Sequence, residues 1–349
     1  MRVFDGHNDL LYRLWETGDR DGAAFLTSDG QGHIDLERAR IGGFSGGLFA
    51  VFADSPEFEQ TLASTDASAM PLSMDDIEPI GLTHASAICH EQIAIVRRMS
   101  AARPDALRIC SSTGQIGQAM SDGAVACVLH VEGLEMIDDP RAQLPELYDL
   151  GVRSIGPVWS RPNRFGHGVP FRYPCDPDTG PGLTAAGFEL IEICQQMGIL
   201  VDVAHMNAAG VADVASVAET PFVSSHAGVH AICPASRNHT DDQLRTIAHS
   251  GGLVGIVLNT DFIRRDGRAD PDTVLSSFVD HIRHVINVAG IEAAALGSDF
   301  DGGPVARDLA DCSALPSLVR RMEAGGLNAA QIEAVCHGNW LRVLKETIG

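Results

Sequence analysis

The stretch ILVDVAHMNAAGVADVASVAETPFVSSH, residues 199–226, holds two apolar runs, each followed at its carboxyl end by a histidine. The runs cover residues 199–204 and 221–224, and their length and composition are typical of buried β-strands. His205 and His226 stand where the two runs stop. In a parallel sheet the carboxyl ends of the strands meet at one face, so the two imidazoles are predicted to point at the same site.

Strands alternate with helices in this way along the whole chain. Apolar or β-branched runs predict eight buried strands at residues 2–4, 47–52, 124–131, 154–158, 199–204, 221–224, 252–258 and 293–297. Helical periodicity predicts helices at residues 83–101, 184–197, 241–249, 272–289 and 328–348. Thr184 is the predicted N-cap of the second helix, and the third is predicted to follow an acidic N-cap. Eight alternating units favour an α/β fold of the closed (β/α)8 TIM-barrel type over an open parallel sheet.

We interpret residues 1–349 as one barrel domain with two long connections. Residues 54–82 are rich in Ser, Asp, Met and Pro and are predicted to form an insertion or lid loop. Residues 157–182 are predicted to form a loop over the active site that shapes specificity. This loop contains Arg161, Arg164 and Arg172. Two interpretations of these arginines stay open: contact with an acidic substrate side chain, or ordinary pairing and solvation at the barrel rim.

Composition and charge exclude several classes of partner. The formal net charge of −21 argues against binding to nucleic acid or to an anionic membrane surface, because both attract basic proteins. No stretch approaches the roughly 18 apolar residues that a membrane helix needs. Arg2 and Asp5 interrupt the segment where a signal peptide would be apolar, so a cytoplasmic location is expected. The eight cysteines lack CxxC spacing and several lie in apolar runs, as reduced, buried thiols do.

Side chains that bind metals follow five of the predicted strands. They are His7, Asp9, Glu132, His205, His226, Asp299 and Asp301. Each has an ordinary explanation when taken alone: a packed histidine, a helix cap, or a turn residue before a glycine. Together, at the carboxyl ends of separate barrel strands, they indicate a metal site on the catalytic face.

His130 is the rival of Glu132 as a ligand, because the two residues share one face of a predicted strand. Residues two apart on a strand are separated by roughly 6.6 Å, so His130 would lie deeper in the barrel. We therefore favour Glu132 as the ligand, with His130 behind it or in the core. The set has too many groups for one tetrahedral zinc and suits two metals that share a carboxylate. Such a site needs one more group to move a proton to the leaving amine, and Asp299 is placed for that role.

Several motifs give the sequence a resemblance to a known family. They are FDGHNDL at 4–10, VEG at 131–133, DVAH at 202–205, SSHAGVHAICPASRN at 224–238, GSDFDGG at 297–303 and GNWLRVL at 338–344. With these motifs the chain resembles the membrane (renal) dipeptidase family, the M19 metallopeptidases, within the wider group of amidohydrolase barrels. The resemblance covers nearly the whole chain and is weakest between residues 54 and 82. His-x-Asp at the first strand makes it fairly specific, because most amidohydrolase relatives carry His-x-His there.

The resemblance implies a zinc-dependent dipeptidase with two zinc ions. His7 and Asp9 would bind one ion, and His205 and His226 would bind the other. Glu132 would bridge both ions. A hydroxide held between the two metals would attack the peptide bond of a dipeptide.

The resemblance also implies roles for two residues outside the ligand set. Asp299 would take a proton from the attacking hydroxide and pass it to the leaving amine. Arg237 would pair with the terminal carboxylate of the dipeptide, which suits the planar fork of a guanidinium. The products would be two free amino acids. Several family members accept a D-residue on the C-terminal side, and members are often dimers, so a small dipeptide and a homodimeric partner are both compatible with the resemblance.

Trp159 departs from the family pattern. Many members carry a histidine at the end of the fourth strand, where it polarises the scissile carbonyl, and Trp159 takes that place here. An indole donates one hydrogen bond but cannot ionise, so we assign Trp159 to substrate binding, with simple packing as the alternative. His167, in the following FGHG segment, would substitute for the histidine if its loop folds inward.

This departure keeps other functions in consideration. One is a binuclear metal hydrolase that acts on another amide or ester, such as an N-acyl amino acid or a lactone. Another is a non-catalytic metal-binding relative, which the presence of all five predicted ligands and Asp299 argues against.

Overall fold

The computed structural model describes residues 1–74 and 77–349. The strands of this part of the chain are β1 (Val3–Asn8), β2 (Phe44–Phe52), β3 (Leu107–Ile109), β4 (Val125–Glu132), β5 (Val152–Gly156), β6 (Leu200–Val201), β7 (Ser224–Ala227), β8 (Val254–Ile256) and β9 (Ala294–Leu296). The helices are α1 (Leu10–Glu16), α2 (Ala23–Thr27), α3 (Leu36–Gly42), α4 (Pro56–Ser64), α5 (Leu82–Ala102), α6 (Thr113–Asp122), α7 (Pro140–Leu150), α8 (Ala185–Met197), α9 (Ala208–Val217), α10 (Asp241–His249), α11 (Thr260–Ile263), α12 (Leu275–Ala289), α13 (Leu315–Ala324), α14 (Ala329–Glu333) and α15 (Asn339–Thr347).

The strands close into a parallel barrel. β1, β2, β4, β5 and β6 pair in that order in one sheet, and β7, β8 and β9 pair in a second. Two single parallel bridges join the sheets, one from Asp202 to Val223 and one from Asn8 to Phe300. The predicted (β/α)8 TIM barrel is therefore confirmed, and each of its eight predicted strands overlaps or adjoins a barrel strand.

β1 is longer than the sequence predicted. We expected a turn after residue 4, but the strand continues through Asn8, because polar groups of Asp5 and Asn8 find hydrogen-bond partners inside the barrel. Asp5, for example, accepts hydrogen bonds from the backbone N–H of Ser298 at 2.6 Å and from its hydroxyl at 2.8 Å. Gly6 is required here, since a side chain would collide with the Ser225 carbonyl and the Trp340 indole.

β3 was not predicted. It has only three residues, and Arg108 interrupts its apolar pattern. It pairs with the amino-terminal half of β4, whereas β5 pairs with the carboxyl-terminal half. β3 therefore extends one edge of the sheet below β5 and adds no strand to the ring.

The helix caps match one prediction and correct another. Thr184 caps α8, as predicted, and its hydroxyl accepts from the Gly187 N–H at 3.2 Å, a contact worth about 1 kcal/mol. The predicted acidic N-cap of α10 was wrong. Thr240 is the cap, in a capping box with Gln243. The acidic residues lie in the first turn, where their negative charges interact favourably with the helix dipole.

Apolar side chains fill the barrel interior below the site. One cluster draws on seven of the eight strands or the residues next to them, which is possible only in the interior: Phe4, Leu48, Ala126, Val128, Leu200, Val223, Leu253 and Ala295. Trp340 of α15 belongs to this cluster, and its indole N–H donates to the Leu296 carbonyl at 2.9 Å. The predicted closing helix is therefore confirmed as a packing element, although a π-helical turn at Ala334–Gly338 separates α14 from α15.

The two long connections differ in structure. The stretch 54–82, which we expected to be loop, contains α4, and its residues 75 and 76 lie outside the described residues, so its role as a lid stays a prediction. Residues 157–182 run without a helix, and single bridges from Gly166 to Leu183 and from Gly168 to Met206 hold them to the barrel.

Arg161, in the second connection, is fully buried and pairs with Glu135 at 2.8 Å, so it pairs with a neighbour and does not face solvent. All eight cysteines are free, and seven of them are buried. No helix of the described segments has the length and apolar character needed to cross a membrane.

Candidate active site and metal centre

The predicted metal-binding side chains meet at the carboxyl end of the barrel. His7 lies in β1, Glu132 ends β4 and His226 lies in β7. Asp9, His205 and Asp299 lie in the turns after β1, β6 and β9. All six side chains are buried. The structure therefore brings together the residues that the strand ends suggested.

Glu132 lies at the centre of these six side chains, which together form the ligand cluster. Its Oε2 is 3.7 Å from Nε2 of His7, which in turn is 3.6 Å from Oδ2 of Asp9. Its Oε1 is 3.0 Å from Nε2 of His205 and 3.5 Å from Nε2 of His226. The two carboxylate oxygens thus face two different sets of side chains.

Backbone strain accompanies two of these residues. His205 has φ of 63° and Asp299 has φ of 58°, in the left-handed region that side chains other than glycine rarely adopt. Such conformations cost of order 1–3 kcal/mol and persist where the surrounding structure fixes them, often at functional sites. These backbone conformations direct both side chains into the barrel mouth, and no sequence pattern predicts them.

The donor set fits a divalent cation. Within the described residues, Nδ1 and Nε2 of His7, Oε1 of Glu132 and Oδ1 of Asp9 are buried without a hydrogen-bond partner. Ligand atoms converge within 4.8 Å in two groups, His7 with Glu132 and His226, and His7 with Asp9 and Asp299. Imidazole and carboxylate ligands suit zinc, and they also suit manganese and cobalt.

Burial also prepares the imidazoles for metal binding. It lowers the pKa of His7, and it lowers the pKa of His205 and His226 well below their usual values, with nearby positive charge acting in the same direction. The rings are therefore neutral at pH 7, which is the form that binds a metal.

The carboxylates show the opposite shift. Burial raises the pKa of Glu132 well above its usual value, the pKa of Asp9 to about 7 and the pKa of Asp299 to about 8, and repulsion between the carboxylates adds to the rise of Glu132 and Asp299. A cation among them would reverse this effect and keep the carboxylates ionised.

Two serines orient His205 and His226. Ser160 Oγ lies 2.7 Å from Nδ1 of His205, and Ser225 Oγ lies 2.9 Å from Nδ1 of His226. Ser225 in turn donates to Oδ2 of Asp202 at 2.5 Å, and His130 Nε2 lies 3.4 Å from the same oxygen. Holding Nδ1 of each ring directs Nε2 toward Glu132, which is how residues behind a metal site fix its ligands.

Replacing Ser225 by Ala is expected to weaken the affinity for a divalent metal by about 10–100-fold, because His226 loses the hydrogen bond that orients its ring. The measurement is competition with a chromophoric chelator. Ser216→Ala is the matched control, since Ser216 is exposed on α9 and its hydroxyl donates to the Asp213 carbonyl. Equal affinity in Ser225→Ala and the unmutated protein would contradict the role of Ser225.

Arg237 and Trp159 flank the histidines. Arg237 is buried, with Nε 3.1 Å from Nδ1 of His205 and Nη2 2.8 Å from Nε2 of His226 and 2.9 Å from the His226 carbonyl. The Trp159 ring lies 5.6 Å from the His205 ring. Its substrate-binding role, and the carboxylate contact of Arg237, stay predictions. Nδ1 of His167 lies 3.4 Å from the Gly182 carbonyl oxygen.

A cavity of about 270 Å³ opens beside the ligand cluster. Aromatic rings form much of its wall: Tyr12, Phe52, Phe58, Trp159, Phe171 and Phe262. Gly302 and Gly303 of the GSDFDGG motif also line it, and a side chain at Gly302 would collide with the carboxylates of Asp9 and Asp299. The glycine therefore keeps access to these two acids open.

Sequence reasoning missed three residues of this site. Ser160 and Ser225 hold the histidines, and Asn259 donates to Oδ2 of Asp299 at 2.5 Å. Ser225 stands directly before His226, a signal that could have been used. Ser160 and Asn259 contact residues 45 and 40 positions away, so only the fold reveals them.

Comparisons with known proteins identify the family of this chain. The sequence profile described as membrane dipeptidase, peptidase family M19, matches residues 1–348. A metallopeptidase from Rhodobacter sphaeroides, solved with a phosphinate mimic of the dipeptide L-Ala-D-Ala, is 37% identical, with a TM-score of 0.96 and 99% of each chain covered. The M19 metallopeptidase called dipeptidase AC is also 37% identical, with a TM-score of 0.93 over 100% of this chain and 99% of the other.

Curated sequences include relatives without an assigned activity. An uncharacterised protein from the pqqA 5′ region of Klebsiella pneumoniae is 43% identical over 258 residues, which are 74% of this chain and 95% of that protein. With the profile match over nearly its full length, this chain belongs to the membrane dipeptidase family, peptidase family M19, and is a metallo-dipeptidase.

Proposed function

We propose that this protein hydrolyses the peptide bond of dipeptides with two zinc ions that share Glu132. The observation that carries the proposal is that the two carboxylate oxygens of Glu132 face different residues. Oε2 faces His7, and Oε1 faces His205 and His226. Asp9 completes the first set at 3.6 Å from His7. When bound, two such ions would supply a water that is nucleophilic at neutral pH.

Asp299 moves the proton in this proposal. Asn259 holds its Oδ2, and Gly302 leaves access to its Oδ1, which lies 3.9 Å from Nε2 of His7. Oδ1 is therefore the oxygen that takes a proton from the attacking water and delivers it to the leaving nitrogen. The bond between the carbonyl carbon and that nitrogen breaks, and two amino acids leave.

Arg237 binds the terminal carboxylate of the substrate in this proposal. A buried guanidinium is a strong partner for a carboxylate that enters a site shielded from water. The Rhodobacter relative binds a mimic of L-Ala-D-Ala, and this supports acceptance of a D-residue on the C-terminal side here. The aromatic wall beside the cluster supplies apolar surface for the side chains of the dipeptide.

Trp159 favours one alternative, hydrolysis of another amide or ester. Its ring packs between Phe52 at 5.2 Å, Phe58 at 4.9 Å and Phe171 at 5.6 Å, which places an apolar surface at the predicted position of the histidine that polarises the carbonyl. Losing one such donor costs on the order of 10²–10³ in rate, so an ester or lactone, whose carbonyl is more reactive than that of an amide, would suit the site best.

A substrate panel separates these functions. Zinc-loaded protein is tested on L,L and L,D dipeptides, N-acyl amino acids and lactones, with release of product followed directly and bound zinc counted per chain. We expect two zinc ions and release of free amino acids that a chelator abolishes and added zinc restores. Turnover of N-acyl amino acids or lactones, with every dipeptide inert, would move the assignment to the alternative.

A further inference from the structure

The cavity beside the ligand cluster carries an excess of negative charge. Six acidic residues line it, with no lysine or arginine among the described lining residues: Asp9, Glu16, Glu132, Asp261, Asp299 and Asp301. Three of these acids belong to the ligand cluster, and Asp301 pairs with Arg13 at 3.0 Å. Glu16 is exposed. Asp261 remains as a buried acid that the proposed chemistry does not use.

Asp261 lies in α11 and is 9% exposed. Its Oδ1 has no hydrogen-bond partner, and none of the salt bridges found among residues 1–74 and 77–349 includes it. Burial raises its pKa to about 7, and the charge of Asp299 adds to the rise. Arg172 and Arg237 line a smaller neighbouring cavity with Asp261, without an ion pair to it in the described part of the chain. A buried carboxylate outside an ion pair is costly, and a cationic ligand would offset that cost.

Aromatic rings next to Asp261 suit the rest of a cationic side chain. Phe262 follows Asp261 directly and stacks on Phe171, with ring centres 6.1 Å apart and planes at 20°. Phe171 stacks in turn on Phe58 at 5.3 Å and 24°. All three rings line the same cavity as Asp261. Such faces attract cations, and they cover the methylene stem of a lysine or arginine.

We propose that Asp261 and the stacked rings of Phe58, Phe171 and Phe262 form a subsite for a cationic side chain, so that dipeptides containing lysine, ornithine or arginine are preferred substrates. The proposal rests on the dipeptidase function proposed above. It does not concern the α-ammonium group, which every dipeptide carries. That group is one carbon from the scissile carbonyl and therefore lies within reach of the ligand-cluster carboxylates.

The test compares the holoenzyme with Asp261→Asn on Ala-Ala, Ala-Lys, Lys-Ala and the uncharged analogues in which norleucine replaces lysine. In the unmutated enzyme the better lysine dipeptide is expected to exceed its norleucine analogue in kcat/KM by about 10-fold or more, as a hydrogen bond to a charged group allows. Asp261→Asn should abolish this preference through a higher KM, with Ala-Ala turnover within about threefold of the unmutated enzyme. The two positions of lysine show which residue of the dipeptide enters the subsite.

Glu16→Gln is the matched control, because it removes a cavity acid that is exposed to solvent, and it should retain the preference for lysine. Hydrolysis of Ala-Ala without a preference for lysine, or an equal fall on all substrates in Asp261→Asn, overturns this inference alone. An enzyme that hydrolyses none of the dipeptides overturns the proposed function and this inference with it. Bound metal and Ala-Ala turnover of Asp261→Asn show that the variant is folded.

Discussion

Replacing Asp299 by Asn is expected to lower kcat on a dipeptide by about 10²–10⁴-fold, because in the proposed mechanism Asp299 is the group that carries a proton from the attacking water to the leaving nitrogen. Asparagine keeps the size of the side chain, and its amide oxygen can still accept from Asn259. It cannot take up the proton. The barrel and the histidines are unchanged, so zinc content should stay close to that of the unmutated protein.

The measurement pairs steady-state kinetics with metal analysis of the same preparation. Asp308→Asn is the control, since Asp308 is an exposed acid near the same barrel end and should leave kcat unchanged. Full activity in Asp299→Asn would contradict the proton-transfer role. Loss of both activity and zinc would instead assign Asp299 to metal binding, which the grouping of its carboxylate with His7 and Asp9 also permits.

Replacing Glu132 by Gln is expected to have the largest effect on the metal centre. Glu132 faces both ligand sets, so in the proposed two-zinc site an amide in its place would remove the negative charge and the carboxylate ligand that the two ions share. We expect fewer than one zinc per chain after gel filtration and activity below detection. An acid removed from a metal site also removes the charge that offsets the cation, so added zinc should restore little turnover.

Zinc content by mass spectrometry and turnover at saturating zinc test this expectation. Glu146→Gln on α7 is the matched control, because Glu146 is exposed and lies outside the cavity. Two zinc ions retained by Glu132→Gln would refute the bridging role of Glu132. The loss of only one ion would show that a single set depends on it.

The fold was predictable where buried segments have a distinctly apolar composition. Strands β2 and β4 are long apolar runs, and α8 combines a Thr cap with an apolar face, so pattern and structure agree. β1 was shortened because Asp5 and His7 look like turn residues, whereas the structure buries both inside the barrel. β3 was missed because three residues with an arginine among them carry no period.

The site was predictable for a similar reason. A barrel collects the carboxyl ends of its strands, so His7, Glu132, His205 and His226 could be grouped before any contact was known. Contacts between distant loops, such as Asn259 with Asp299, leave no local pattern. The same holds for the positive φ of His205 and Asp299, which depends on how the surrounding barrel holds each turn.

Single bridges close the ring of strands at the two seams where the sheets meet, Asp202 with Val223 at the first and Asn8 with Phe300 at the second. His205 and His226 stand on opposite sides of the first seam, and His7 and Asp299 stand on opposite sides of the second. In the proposed enzyme, a zinc ion held by His205 and His226 would link the two sheets across the first seam, where the backbone supplies a single bridge. That ion would stabilise the fold as well as serve hydrolysis, so loss of zinc would lower both the activity and the free energy of unfolding.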